Sequence, residues 1–173
     1  MRVIGIDPGL TRCGIGIVEG AAGRAPSLIA VGVVRTPADL DVARRLVRLE
    51  EGLQGWIDDH HPEAMAIERV FAQHNLHSVA DTMQASGIAA LVGARAGLPV
   101  SFHTPSEVKT AVTGSGRADK AQVGLMVQRL LKLDAPPTPA DASDALAIAV
   151  CHLWRAPATN RYAAALAAAK GKR

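Results

Sequence analysis

Short apolar runs, each closed by glycine or proline, open the chain. The first spans residues 3–7 and stops at Asp7, with Pro8-Gly9 as the turn after it. Further runs at 14–18 and 30–34 predict an antiparallel meander of three strands. The period then changes. Over residues 39–59, Ala43, Leu46, Leu49, Leu53, Trp56 and Ile57 recur at helical spacing on one face. A fourth run at 64–68 ends on Glu68. A second helix is expected over 78–96, stopped by Gly97 and Pro99. Its small residues, among them Ala85, Gly87, Ala89 and Gly93, allow close backbone approach. That suits a core helix or a contact with a second copy of the chain.

Residues 100–103 give a fifth strand, and Thr104-Pro105-Ser106-Glu107 then matches a helix capping box with proline in the first turn. The helix it starts carries Lys109. Gly114-Ser115-Gly116-Arg117 is a basic-edged loop. Val123, Met126, Val127, Leu130 and Leu131 mark the apolar side of a helix over 119–133. A proline-rich link at 135–139 precedes the last helix, with Thr138 expected as its cap, Pro139 in its first position and Asp141 in its third. This order predicts an α/β fold with a mixed five-stranded sheet, a three-strand meander plus two further strands, flanked by helices. A division into a folded domain at 1–156 and a basic, alanine-rich tail at 157–173 is expected.

Composition narrows the partners. The 173 residues are 49% hydrophobic but only 3% aromatic, so the core must come from Ala, Val, Leu and Ile. No apolar run approaches the roughly 20 residues of a membrane span. With a first strand so near the start, no signal peptide is expected, and Cys13 and Cys151 read as free thiols of a cytoplasmic protein. The net charge of +3 conceals an asymmetry: from residue 145 onward there are five basic residues and no acidic one. The first 144 residues are slightly acidic, so a nucleic-acid footprint must come from local clusters and the tail.

Four acids carry the chemistry. Asp7 and Glu68 end apolar strands, and Asp141 and Asp144 lie three apart, on one face near a helix start. Each feature alone has an ordinary explanation, since acids suit helix N-termini and turns. Gathered together, two carboxylates about 5 Å apart repel by roughly 3 kcal/mol at an effective dielectric of about 20. A divalent cation reverses that sign, and hard oxygen ligands suit magnesium or manganese. Two such ions about 4 Å apart would hold a phosphodiester for in-line attack by water. Lys109 and Lys120 flank the glycine-rich loop as point charges for phosphate. Arg69 and Arg117 are candidates for backbone contacts, and Phe71 for stacking on an unpaired base.

Four segments resemble the RuvC family of bacterial Holliday-junction resolvases. They are Ile6-Asp7-Pro8-Gly9, the stretch Ala66-Ile67-Glu68-Arg69-Val70-Phe71, the loop from Gly114 to Val123 that contains Arg117 and Lys120, and Asp141-Ala142-Ser143-Asp144. They occur in the family's order and spacing. The resemblance implies an RNase H-like fold and a homodimer with two active sites. It implies magnesium-dependent symmetric nicking of two opposed strands of a four-way DNA junction, leaving 5′-phosphate and 3′-hydroxyl ends. Asp7, Glu68, Asp141 and Asp144 correspond to the family's catalytic metal ligands, two ions per site, with manganese as a substitute. Lys109 and Lys120 correspond to basic residues near the scissile phosphate, and Phe71 to an aromatic that stacks on or wedges a junction base. The RuvA and RuvB branch-migration proteins are the implied partners.

Three other readings share parts of this pattern. Asp-Pro-Gly after a first strand also opens actin-like ATPases and sugar kinases, which usually need a second such domain. An RNA-processing nuclease of the same fold would share the acids. A junction-binding protein without catalysis would not need the full set of four.

Overall fold

Side-chain alternation along the first strands sets the architecture. The computed structural model describes the backbone of residues 1–21, 24–70 and 76–170, and side chains over the same stretches apart from 76–78 and 156–170. Five strands, β1 (Arg2–Asp7), β2 (Arg12–Glu19), β3 (Ser27–Arg35), β4 (Ala64–Glu68) and β5 (Val100–His103), form one sheet in the order β3-β2-β1-β4-β5. The first three pair antiparallel as the expected meander, whereas β4 and β5 add in parallel beside β1. Helices α1 (Val42–His60) and α2 (Leu76–Arg95) cover one face. Helices α3 (Pro105–Thr113), α4 (Lys120–Leu130) and α5 (Ala140–Lys170) cover the other. The expected α/β class and mixed five-stranded sheet are therefore present.

Successive strand residues point to opposite faces. Ile4, Ile6, Ile15, Ile17, Met65 and Ile67 pack beneath α1 and α2. Val3, Val18 and Ala66 pack beneath the other three helices. By the same parity, Gly5 and Asp7 in β1 and Glu68 in β4 turn toward α5.

Glycine lets α5 lie unusually close to the sheet. Gly5 and Gly16 are directly paired across β1 and β2, and Gly14 is paired with Asp7. A Cβ on Gly16 would come within 2.6 Å of the Leu146 amide nitrogen. One on Gly5 or Gly14 would meet the carbonyl oxygen of Ala145 or Asp141. These three positions form a seam on which α5 rests through its backbone.

Some expectations need correction. The first helix starts later than residue 39, with Asp41 as its cap: the Asp41 carboxylate accepts from the Arg44 amide at 3.0 Å. Its buried stripe is Arg45, Leu49, Leu53 and Ile57, while Ala43 is exposed. Spacing by four carries the inner face back onto an arginine. Thr138 is not the cap of α5. The amides of Ala142 and Ser143 donate to the Pro139 carbonyl, so the helix begins after the proline instead of at it. The small face of α2 is inside: Ala85 and Ala89 are fully buried, and a Cβ on Gly93 would meet the Met65 side chain. α5 is continuous past residue 156 to Lys170.

Gly16→Ala should lower unfolding stability by about 1–3 kcal/mol, because backbone atoms cannot yield as a flexible side chain would. Gly55→Ala, in open space on α1, should instead be neutral or stabilising by up to about 1 kcal/mol. Denaturant unfolding of the two variants checks this, and equal effects would contradict the seam.

Candidate active site

β1 and β4 run parallel with Ile6 opposite Ile67, so Asp7 and Glu68 end neighbouring strands on the same level and face. Asp141 lies over Gly14, the antiparallel partner of Asp7, and Asp144 follows one turn along α5. Glu68, Asp141 and Asp144 all come within electrostatic range of Asp7, and Asp144 also within range of Glu68. Burial pushes the Asp7 carboxyl up to about 8, reinforced by Glu68, Asp144 and Asp141 and opposed by Lys120. Glu68 is also raised, by burial first and then by Asp144, with Lys120 and Lys109 acting against the shift.

Two capping boxes position the lysines. The Thr104 hydroxyl accepts from the Glu107 amide while Glu107 accepts from the Thr104 amide, which fixes the start of α3 and hence Lys109. Asp119 and Gln122 make the same exchange at α4, whose first residue is Lys120. Both lysines, with Glu68 and Asp144, line a cleft of about 210 Å³ walled by Pro105, Val108, Val123 and Ala147. Lys120 Nζ lies 2.7 Å from Asp144 Oδ2, and this hydrogen bond holds the lysine above its ordinary pKa.

The remaining candidates are more scattered. Arg69 is exposed and borders a shallow opening with Met83, Gly87 and Phe102 instead of the acid cleft. Arg117 is exposed on the loop between α3 and α4. Phe71 lies outside the described residues. Cys13 and Cys151 are free and buried, and burial pushes both thiols up to about 12, so neither is a nucleophile at neutral pH.

Sequence reasoning missed two arginines. Arg12 Nε lies 2.8 Å from Asp141 Oδ2. Arg45 is buried and donates to the hydroxyls of Thr36 and Thr11, at 3.0 and 2.6 Å. The Thr36 hydroxyl in turn donates to the Leu10 carbonyl, so this network braces the turn after Asp7 from behind. Extending the apolar stripe of α1 back by one turn from Leu49 would have found Arg45. Nothing in the local sequence marks Arg12.

The donor set fits a hard divalent cation. It consists of carboxylate oxygens, and one of them keeps its proton near neutrality unless positive charge is supplied. Among the described residues no three acidic, histidine or cysteine side chains are gathered tightly enough to chelate an ion as they stand. Two of the four carboxylates, Asp141 and Asp144, are instead paired with Arg12 and Lys120.

A family model described as "Crossover junction endodeoxyribonuclease RuvC" matches residues 3–152. The chain belongs to the RuvC family. A Streptomyces avermitilis crossover junction endodeoxyribonuclease RuvC is 64% identical over 99% of both chains. Its Cutibacterium acnes counterpart is also 64% identical, over 96% of this chain and 85% of the relative. A solved structure of T. thermophilus RuvC in complex with Holliday junction substrate superposes with a TM-score of 0.85 at 34% identity, covering 90% of this chain and 94% of that one. RuvC membership sets aside the ATPase and sugar-kinase reading, and the RNase H-like fold implied by resemblance holds.

The raised Asp7 pKa gives a pH test of the metal-free protein. Below about pH 4 both folded and unfolded states keep the Asp7 proton, so its contribution to stability is fully present there. Between 4 and 8 only the folded state keeps it, and stability is lost as pH rises toward the folded value. Asp7→Asn removes this dependence. In EDTA the stability of Asp7→Asn relative to wild type should grow from pH 5 to pH 8, by up to about 1.4 kcal/mol per pH unit. Thermal unfolding measures it, and a difference that is flat with pH would contradict the raised carboxyl.

Proposed function

We propose that this chain is a structure-specific endonuclease that resolves four-way DNA junctions in recombination and repair. It nicks two opposed strands symmetrically and leaves 5′-phosphate and 3′-hydroxyl ends. The observation that carries the reading is the meeting of Asp7 and Glu68, at the ends of β1 and β4, with Asp141 and Asp144 from the start of α5, while Lys109 and Lys120 line a cleft with Glu68 and Asp144. Membership of the RuvC family, and the Holliday junction in complex with the Thermus thermophilus relative, support the substrate class.

In this reading the four carboxylates hold two divalent ions, magnesium with manganese as a substitute. Such ions, when bound, activate water and neutralise charge on the departing oxygen. The chain's own groups do the rest. Lys109 and Lys120 attract and orient the scissile phosphate from the cleft wall. The apolar wall of Pro105, Val108, Val123 and Ala147 limits water beside it, which strengthens each charge interaction. Arg69, Arg117 and Phe71 extend the contact to neighbouring backbone and bases.

Symmetric cutting requires two sites, hence a homodimer. The outer face of α2 supports one: Met83, Gly87 and Leu91 recur every four residues in the open, and Phe102 on the edge strand is exposed beside them. The same reading gives the protein RuvA and RuvB as partners and the cytoplasm as its location. No helix among the described residues is long and apolar enough to cross a membrane.

The decisive assay compares a synthetic four-way junction with linear duplex and RNA–DNA hybrid, with and without magnesium. Only the junction should be cut, and only with metal. Asp7→Asn and Glu68→Gln should lose cutting by at least about 100-fold yet bind the junction, because a ligand charge disappears while the basic contacts remain. Full cleavage by either variant would remove it from the reaction. Lys120→Ala should weaken junction binding and reduce its salt slope by about 1. Met83→Asp with Leu91→Asp should sediment as a monomer at micromolar concentration, and a persistent dimer would place the interface elsewhere.

A further inference from the structure

The four acids are unequally provided with counter-ions. Asp141 is paired with Arg12 and Asp144 with Lys120, whereas no ion pair reaches Asp7 or Glu68 among the described residues. Lys120 belongs to the phosphate-binding assignment already made, but Arg12 has no role in it. Its side chain is 47% exposed and that of Asp141 is 29% exposed, so the pair sits at the surface of the site and is open to exchange. It borders a groove of about 340 Å³ lined by Gly9, Leu10, Thr11, Arg12, Asp81 and Asp141. This groove is separate from the lysine cleft, whose lining includes none of these residues.

The placement of Arg12 is rigid at its base. Arg45, buried beneath the turn, holds Thr11 through its hydroxyl, and Thr36 holds the carbonyls of both Leu10 and Thr11. The backbone is therefore fixed while the guanidinium reaches into solvent. Guanidinium binds carboxylate and phosphate with the same planar geometry, so one partner can replace the other.

We propose that Arg12 is a positioning residue that serves as an internal counter-ion for Asp141 and passes to a DNA phosphate when substrate enters this groove. While Arg12 holds Asp141, it relieves repulsion among the acids and competes with a divalent ion for that carboxylate. A phosphate in the groove takes the guanidinium and releases Asp141 for metal, which couples metal loading to substrate. The inference rests on the metal-binding reading of the four acids, and its test separates the two.

Mn²⁺ binding to the full chain is measured by titration calorimetry without DNA. Arg12→Gln should bind Mn²⁺ about two- to fivefold more tightly than wild type, the range expected from removing a half-exposed ion pair. Arg12→Lys, which keeps the charge, should stay near wild type. In an Asp141→Asn background, Arg12→Gln should have no effect on Mn²⁺ affinity. In calcium-containing buffer, Arg12→Gln should also reduce the salt slope of junction binding by about 1. A merely structural role for Arg12 cannot tighten metal binding. Unchanged or weaker Mn²⁺ affinity in Arg12→Gln, or the same gain without Asp141, overturns the handover. The metal reading itself fails on a different result, namely Asp7→Asn and Glu68→Gln each binding Mn²⁺ as wild type does.

Discussion

The close contact between α5 and the glycine seam of β1 and β2 is the constraint on which the site depends. Helix and sheet approach backbone to backbone at Gly5, Gly14 and Gly16, leaving no space for a methyl group. That approach brings a helix carrying two carboxylates down onto the strand end carrying a third. A standard helix-on-sheet separation, set by interlocking side chains, would hold Asp141 and Asp144 farther from Asp7. Burial of Leu146, Ile148 and Leu153 on the same helix supplies the hydrophobic drive that holds the contact shut.

The cost of this arrangement is electrostatic. Burial first, and then the neighbouring carboxylates, oppose ionisation of Asp7 and push its pKa up. The chain offsets part of the cost with two cations of its own. Lys120 comes from a capped helix start and Arg12 from the first residue of β2, so both reach the site from rigid elements. Carboxylates clustered in this way hold charge that destabilises the fold unless a counter-charge is present.

Much of the fold was legible in the chain. Period-2 and helical patterns, together with the Thr104 capping box, located the five strands and five helices seen among the described residues, because these signals are local. Boundaries moved where a tertiary contact overrode the pattern. Helical spacing carries the apolar face of α1 to Ala43, yet Arg45 takes the inner position because Thr11 and Thr36 satisfy its guanidinium there. The small residues of α2 admitted two readings, and packing of Ala85, Ala89 and Gly93 against the sheet chose one. Thr138 had the composition of a cap but not the backbone placement, since α5 starts from the Pro139 carbonyl.

Which residues bear charge, which elements carry them and, through four ordered motifs, the family can all be read from the chain alone. Asp7 and Glu68 end apolar runs, and a three-residue interval puts Asp141 and Asp144 on one helix face; both facts follow from backbone periodicity alone. Packing between elements put the strand ends on one face with α5, set Arg12 against Asp141, and left Arg69 on a different surface from Lys109 and Lys120. Periodicity fixes direction within an element, whereas contact between elements depends on sheet order, register and the space that missing side chains leave.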